Sequence, residues 1–279
     1  MSIQERQNLP ESLDKLAAQR LLYRKAKLAR NFRMSIVLFI AVIALVAAFV
    51  QFNEFSYGVT LAALFAWFLD QIFIKEFEVK NKREAAVIQE DFDCFVLDIP
   101  WPHNKRESRP ARDRIKQLAM HARKNLGIVK DLEDWYTPNE LLGAEGKIYC
   151  QRMNCWWDVN LRKRWRAMLA VAFWTFVTIA ILVSVFSGIS VANLLALVAA
   201  TLGILGWGVA EWKEQGSAVT NVQGIHQMLE EIKTELNITS EQVRRIQDEI
   251  FEHRRTNPPI PEWFYWLNRD HQEAEAANP

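Results

Sequence analysis

Four stretches of the chain carry apolar residues at nearly every position. Residues 34–52 read MSIVLFIAVIALVAAFVQF and residues 55–74 read FSYGVTLAALFAWFLDQIFI. Residues 167–187 read AMLAVAFWTFVTIAILVSVFS and residues 189–210 read ISVANLLALVAATLGILGWGVA. At about 1.5 Å of rise per residue, the shortest run makes a helix of about 28 Å, close to the ~30 Å hydrocarbon core of a bilayer. Stretches this long and this free of charge predict transmembrane helices rather than the buried helices of a soluble core. They pair into two hairpins, residues 34–74 joined at Asn53 and Glu54, and residues 167–210 joined at Gly188.

The three polar segments, 1–33, 75–166 and 211–279, have mostly helical patterning. Residues 12–30 form a basic helix with Leu13, Leu16, Ala17, Leu21 and Leu28 roughly on one face. It either lies on anionic lipid or is a solvated helix continuing into the first span. Residues 75–97 continue the second span outward. Residues 98–110 are a Pro-punctuated loop, residues 111–125 a helix, and Asp134–Pro138 a turn. Residues 139–166 run as a helix into the third span. In the tail, Val222, Leu229, Leu236, Val243 and Ile250 recur every seven residues, with Ile225, Ile232 and Ile246 in the complementary register. Thr239 breaks the pattern and could cap a new helix with Gln242 at its third position. The tail is therefore one long coiled coil or a helical hairpin packed on itself. The expected fold class is an all-α membrane protein, with four transmembrane helices in two hairpins and a mostly helical cytoplasmic assembly.

Charge sets the orientation. Of the 34 Lys and Arg residues, eight precede the first run, 19 lie in residues 75–166 and seven in residues 211–279; none lies in a span or a hairpin link. The positive-inside rule places the N-terminus, the middle segment and the tail in the cytoplasm. Thirty-three mostly polar residues before the first run argue against a cleavable signal peptide. The net charge of +1 gives no reason to expect a DNA or RNA polymer as partner, and three cysteines do not make a disulfide scaffold.

No Walker or dinucleotide glycine loop, zinc-protease pattern or nucleophile elbow is present, so neither an enzyme nor a cofactor is expected. Cys94, His103, Cys150 and Cys155 lack zinc-like spacing, and no metal is expected. Asp91 and Asp93 read as exposed acids at a helix end rather than as paired metal carboxylates. Two clusters combine cations with aromatics, the pairing that binds phosphates and stacks bases. The first is Arg152, Asn154, Trp156 and Trp157. The second is Arg254, Arg255, Asn257, Trp263 and Tyr265 around the PPIP turn. The alternatives are that the tail aromatics dock the tail onto the cytoplasmic bundle or anchor it at the membrane interface. Arg162, Lys163, Arg164 and Arg166, just before the third span, read as lipid headgroup contacts. Asp70 is the one ionisable residue inside a span. Ala196 with Ala200, Ala199 with Gly203, then Gly206 and Gly208, favour close helix packing or homo-oligomer formation.

The combined pattern resembles the SMODS-associated four-transmembrane effectors of bacterial cyclic-oligonucleotide antiphage defence. The resemblance rests on IQEDFDCFVLDIPW at 88–101, DWY at 134–136, CQRMNCWWDVNLRK at 150–163 and RRTNPPIPEWFY at 254–265, together with the two-plus-two layout of spans. It implies an inner-membrane effector that responds to a cyclic di- or oligonucleotide and permeabilises the membrane by oligomerisation. A nucleotide synthetase would be its genomic neighbour. It carries over no ligand or catalytic residue, so the candidate site comes from this chain alone. Two other classes stay open: a membrane-anchored interaction protein, and a small transporter or channel with Asp70 in its pathway.

Overall fold

The computed structural model describes residues 1–50, 61, 64–102, 108–136, 143–186, 191–235 and 237–276. Within them, side chains are described except at 41, 44–50, 180, 183–186, 191–204, 270, 273, 274 and 276. The described residues are 85% helical and contain no strand. In chain order the helices are α1 (Ile3–Gln7), α2 (Pro10–Val50), a π-helical turn (Asp70–Ile74) leading into α3 (Lys75–Val96), α4 (Arg112–Arg123), α5 (Leu126–Val129), α6 (Gly143–Phe186), α7 (Val191–Lys233), α8 (Ser240–Thr256) and α9 (Glu262–Ala276). The chain divides into two compact units. Unit 1 is Met1–Lys27, Val79–Arg162 and Ala218–Pro279; unit 2 is Leu28–Glu78 and Lys163–Ser217.

Unit 1 is built around the C-terminal half of α3, where Ile88, Phe92 and Val96 are fully buried, as is Leu97 just past its end. A helix apolar on several sides needs cover on several sides. Leu16 of α2, Ile148 and Val159 of α6, Val222, Ile225 and Leu229 of α7, and Val243, Ile246 and Ile250 of α8 supply it in one continuous core. Each such side chain contributes about 1.5–3 kcal/mol when fully buried. The heptad positions of the tail therefore face the chain's own core, as a hairpin does; Leu236 lies outside the described residues. The hairpin forms because α7 ends at Lys233 and Thr239 starts α8. The Thr239 hydroxyl accepts from the Gln242 amide (3.2 Å), and the Gln242 side chain accepts from the Thr239 amide (2.8 Å). That reciprocal cap satisfies two otherwise orphan donors.

The basic N-terminal helix continues into the first apolar run as one helix, α2, but it neither is solvated along its apolar face nor leaves that face free for lipid. Leu16, Ala17, Ala18 and Leu22 are buried in unit 1, against Ile88, Ile115, Leu118, Ala119 and their neighbours. Its apolar face is covered by protein, and its small residues allow close approach. Leu28, by contrast, is exposed and belongs to unit 2. The DWY segment also packs into unit 1: Trp135 meets the Phe92 ring edge-on at 6.5 Å, and Tyr136 stacks on it at 6.1 Å.

Unit 2 contains all four apolar runs. Among the described residues, no helix is long and apolar enough to cross a membrane. The runs are described only in part. Residues 51–60, 62–63 and 187–190, including both hairpin links, lie outside the described residues, as do the side chains of 44–50 and 191–204. The side chains that are described invert the burial pattern of unit 1. Phe39, Phe65, Val171 and Trp174 are 65%, 64%, 66% and 65% exposed, while Glu78 and Glu211 are buried.

Candidate functional site

The four segments that carry the family resemblance meet in unit 1. Asp93, in the first of them, is fully buried. One carboxylate oxygen accepts from the Tyr136 hydroxyl (2.7 Å) of the DWY segment. The other accepts from Gln247 Nε2 (3.0 Å) and from the Arg254 guanidinium of the tail. Asn154 of the third segment donates through Nδ2 to the Tyr136 hydroxyl (3.0 Å). Gln247 also donates to Glu90 (2.8 Å), which Arg244 contacts at 2.6 Å. Asp91 sits between Lys15 (3.0 Å) and Arg109 (2.6 Å).

Three carboxylates on one turn of α3 are thus buried with cationic or amide partners. The exposed acids expected from the sequence are not there. Unpaired, such groups would cost several kcal/mol each. Burial opposes the Arg254 charge, but the neighbouring Asp93 outweighs it, and the guanidinium pKa is raised. Burial raises the Glu90 pKa, against the pull of Arg244. Burial, then Asp93, raises that of Tyr136.

A second polar chain ties α6 to the PPIP turn. His253 Nε2 lies 2.6 Å from Asp158 Oδ2, and Arg162 Nε donates to the same oxygen at 2.6 Å. Arg162 NH1 donates to the Pro258 carbonyl (2.9 Å), and Asn257 Nδ2 lies 2.6 Å from His253 Nδ1. Burial works to raise the Asp158 pKa, but Arg162 and His253 hold it well below the usual carboxylate range. Arg162 is therefore a buried clamp and not the headgroup contact expected of it. In unit 2, Arg166 stacks over Trp212 at 3.7 Å. A Cβ on Gly216 would come within 3.1 Å of that guanidinium, so glycine allows the contact.

The nine residues singled out from the sequence fall into three groups. Asn154 and Arg254 join through Tyr136 and Asp93, and Asn257 belongs to the His253–Asp158 chain. Arg152 pairs with Glu230 of α7, and Arg255 with Glu252 one turn back (2.8 Å). Trp156 and Trp157 meet edge-on at 6.0 Å; Trp263 is exposed and edge-on to Phe264 at 5.7 Å; Tyr265 lies under Lys27 at 6.0 Å. The tail does fold back onto the middle segment, but the polar groups of Arg254, Asn154 and Asn257 are engaged by protein. Burial pushes the Cys150 and Cys155 thiols up to about 12 and raises Cys94 as well. His103 lies outside the described residues.

Sequence reasoning overlooked Glu90, Asp93, Tyr136, Arg244 and Gln247 as one network. A signal was available: the acids of IQEDFDCFVL are embedded in a run with no solvated face, so they needed partners.

Unit 2 carries its own charge cluster. Arg30 contacts Glu78 (2.8 Å), Glu211 and Glu214 (3.0 Å); Arg33 contacts Glu78 (2.8 Å) and Asp70 (2.5 Å). Trp165 Nε1 (3.4 Å) and Gln215 Nε2 (3.0 Å) both donate to Glu211. Asp70 opens the π-helical turn, a geometry that recurs at functional sites. Among the described residues, no atom of another part of the chain lies within 4 Å of where a Cβ on Gly206 or Gly208 would stand. The side chains of Ala196, Ala199 and Ala200, and the surroundings of Gly203, lie outside the described residues.

A family model described as the SMODS-associating 4TM effector domain matches residues 1–279, the whole chain. The chain belongs to this family. No curated protein and no solved structure matches it. The SMODS-associating 4TM effectors are, by that description, effector domains associated with SMODS cyclic-oligonucleotide synthetases in defence. The four resemblance segments of this member supply Asp93, Tyr136, Asn154 and Arg254 of the network, and α8 adds Arg244 and Gln247.

Proposed function

We propose that the chain is a multi-pass inner-membrane effector of antiphage defence that responds to a cyclic di- or oligonucleotide and permeabilises the membrane by oligomerising. Unit 2 is its membrane part, with hairpins 34–74 and 167–210, and both termini are cytoplasmic. The observation that carries this reading is the inverted burial of unit 2. Phe39, Phe65, Val171 and Trp174 face outward, while Glu78 and Glu211 are buried against Arg30. Water disfavours that surface, whereas lipid favours apolar exteriors and confines charge to paired, inward positions. The family's effector description supplies the defence context. The pairing of Asp70 with Arg33 weighs against Asp70 as the carrier of a transport pathway. Asn154, Asn257 and Arg254 act in this reading as the clamp that holds the tail in unit 1.

The test is dye release from liposomes carrying the full chain, with and without a panel of cyclic di- and trinucleotides. One member of the panel should trigger release; no release at any ligand or protein density would overturn the reading. Reporter fusions at Glu54 and Gly188 should report the outside, and those at Lys105 and Pro279 the inside. An outside signal at Lys105 would reject the orientation.

A further inference from the structure

Unit 1 has an open cleft of about 260 Å³ lined by Arg24, Asn125, Gly127, Lys130, Glu262 and Trp266. Its walls come from α2, the turn around α5 and the start of α9. Arg20 braces the turn by donating to the carbonyls of Ile128 (3.4 Å), Lys130 and Asp131 (2.8 Å). Arg269 pairs with Asp131 (2.7 Å) and lies 5.2 Å over the Trp266 ring. One face of that indole is thus braced by a guanidinium, yet the residue stays 39% exposed. Arg24 and Glu262 form a long ion pair, 3.9 Å and beyond hydrogen-bonding reach. Lys130 is exposed, and its ammonium makes no ion pair among the described residues.

An exposed indole, a lysine, and an arginine and carboxylate held only by a long ion pair suit a particular chemistry. The ring stacks a flat base, the cations take a phosphate, and Glu262 accepts from an exocyclic amine. The cleft is smaller than the roughly 300–1,000 Å³ of sites that enclose a whole small molecule. It has room for one nucleotide unit and leaves the rest of a larger ligand outside. A cyclic di- or trinucleotide repeats that unit two or three times around a closed ring, so the units left outside can enter the clefts of further copies.

We propose that each cleft takes one nucleotide unit and that a single cyclic oligonucleotide bridges two or three copies of the chain. This deepens the effector reading and rests on it, because it makes the signal itself the cross-link for assembly. Ligand contact then passes from Arg254 and Arg152, which are hydrogen-bonded to carboxylates, to Lys130, Arg24 and Trp266.

The experiment uses the purified full chain in detergent, titrated with cyclic di- and trinucleotides and with the matching mononucleotides. Calorimetry and sedimentation are the readouts. Bridging predicts two or three chains per cyclic ligand, and assembly that rises and then falls when ligand is in excess. Mononucleotide should compete without assembling the chain. Lys130→Glu and Trp266→Ala should each weaken binding about tenfold or more, with helicity unchanged by circular dichroism, while Trp266→Phe retains it. Wild-type affinity in folded Lys130→Glu and Trp266→Ala would overturn the site, as would no binding by any ligand of the panel. One ligand per chain without assembly would overturn the bridge. Ligand-free dye release at rising protein density tests the membrane reading separately, so either idea can fail alone.

Discussion

Phe92 of unit 1 is fully buried and Phe65 of unit 2 is 64% exposed, and the two rings mark opposite ways of using one helical repertoire. In unit 1 apolar side chains from α2, α3, α6, α7 and α8 close on one another, and buried acids are set into that core with their partners. In unit 2 Phe39, Phe65, Val171 and Trp174 point outward, while Glu78 and Glu211 are buried. Each of the four long helices contributes residues to both units, so helix propensity cannot account for the contrast. On the membrane reading proposed above, the medium around each unit accounts for it: water penalises exposed rings, whereas lipid penalises exposed charge. Pairing is obligatory in both, because an uncompensated buried charge is expensive wherever it sits.

The widest gap between the units should come from deleting an aromatic ring. Phe92→Ala is expected to cost about 3–5 kcal/mol in chemical denaturation, whereas Trp174→Ala should stay within about 0.5 kcal/mol in detergent. Equal losses would erase the distinction. Breaking a buried pair comes next. Arg254→Ala leaves Asp93 without its cation and should destabilise by about 3–5 kcal/mol. Adding Asp93→Asn should restore part of that, and full additivity of the two losses would mean that they do not act as a pair. Arg30→Ala takes its cation from Glu211 in the same way, while Glu78 keeps Arg33. If unit 2 is the membrane part, its effect should appear as altered basal dye release more than as unfolding of unit 1.

Smaller effects sharpen unit 1 alone. Thr239→Ala removes one half of the reciprocal cap and should cost about 1 kcal/mol, while Thr239→Ser should be close to neutral. The pH dependence follows from Asp158, whose folded pKa is depressed. Its contribution is fully present above the ordinary aspartate value of about 3.9 and is lost as pH falls below it. Wild type should therefore exceed Asp158→Asn in stability at pH 6 and converge on it below about pH 4. A difference that stays constant across that range would assign the effect to shape and not to charge.

Much of unit 1 was legible before folding. The helix over residues 75–96, the break at Thr239 with its Gln242 partner, and the heptad spacing of the tail are local, and local rules of capping and periodicity govern them. The site was less so. Arg254 and Asn154 stood out as cation and amide near aromatics, but their joint partners, Asp93 and Tyr136, lie 161 and 18 residues away respectively. The charge-free runs 34–52, 55–69 and 167–210 were likewise legible. Which charges beside them would be buried, Glu78 and Glu211 against Arg30, was not local information. A repeat along a helix states that one face will be covered, and it is silent on what covers it. By itself the sequence determined the helices, their caps and the apolar stretches, because those depend on neighbours a few residues apart. The tertiary structure alone decided that the heptad face closes on the chain's own core and that the arginines of the tail meet buried carboxylates. Those outcomes depend on which distant surfaces meet, and burial then makes every charge find its partner.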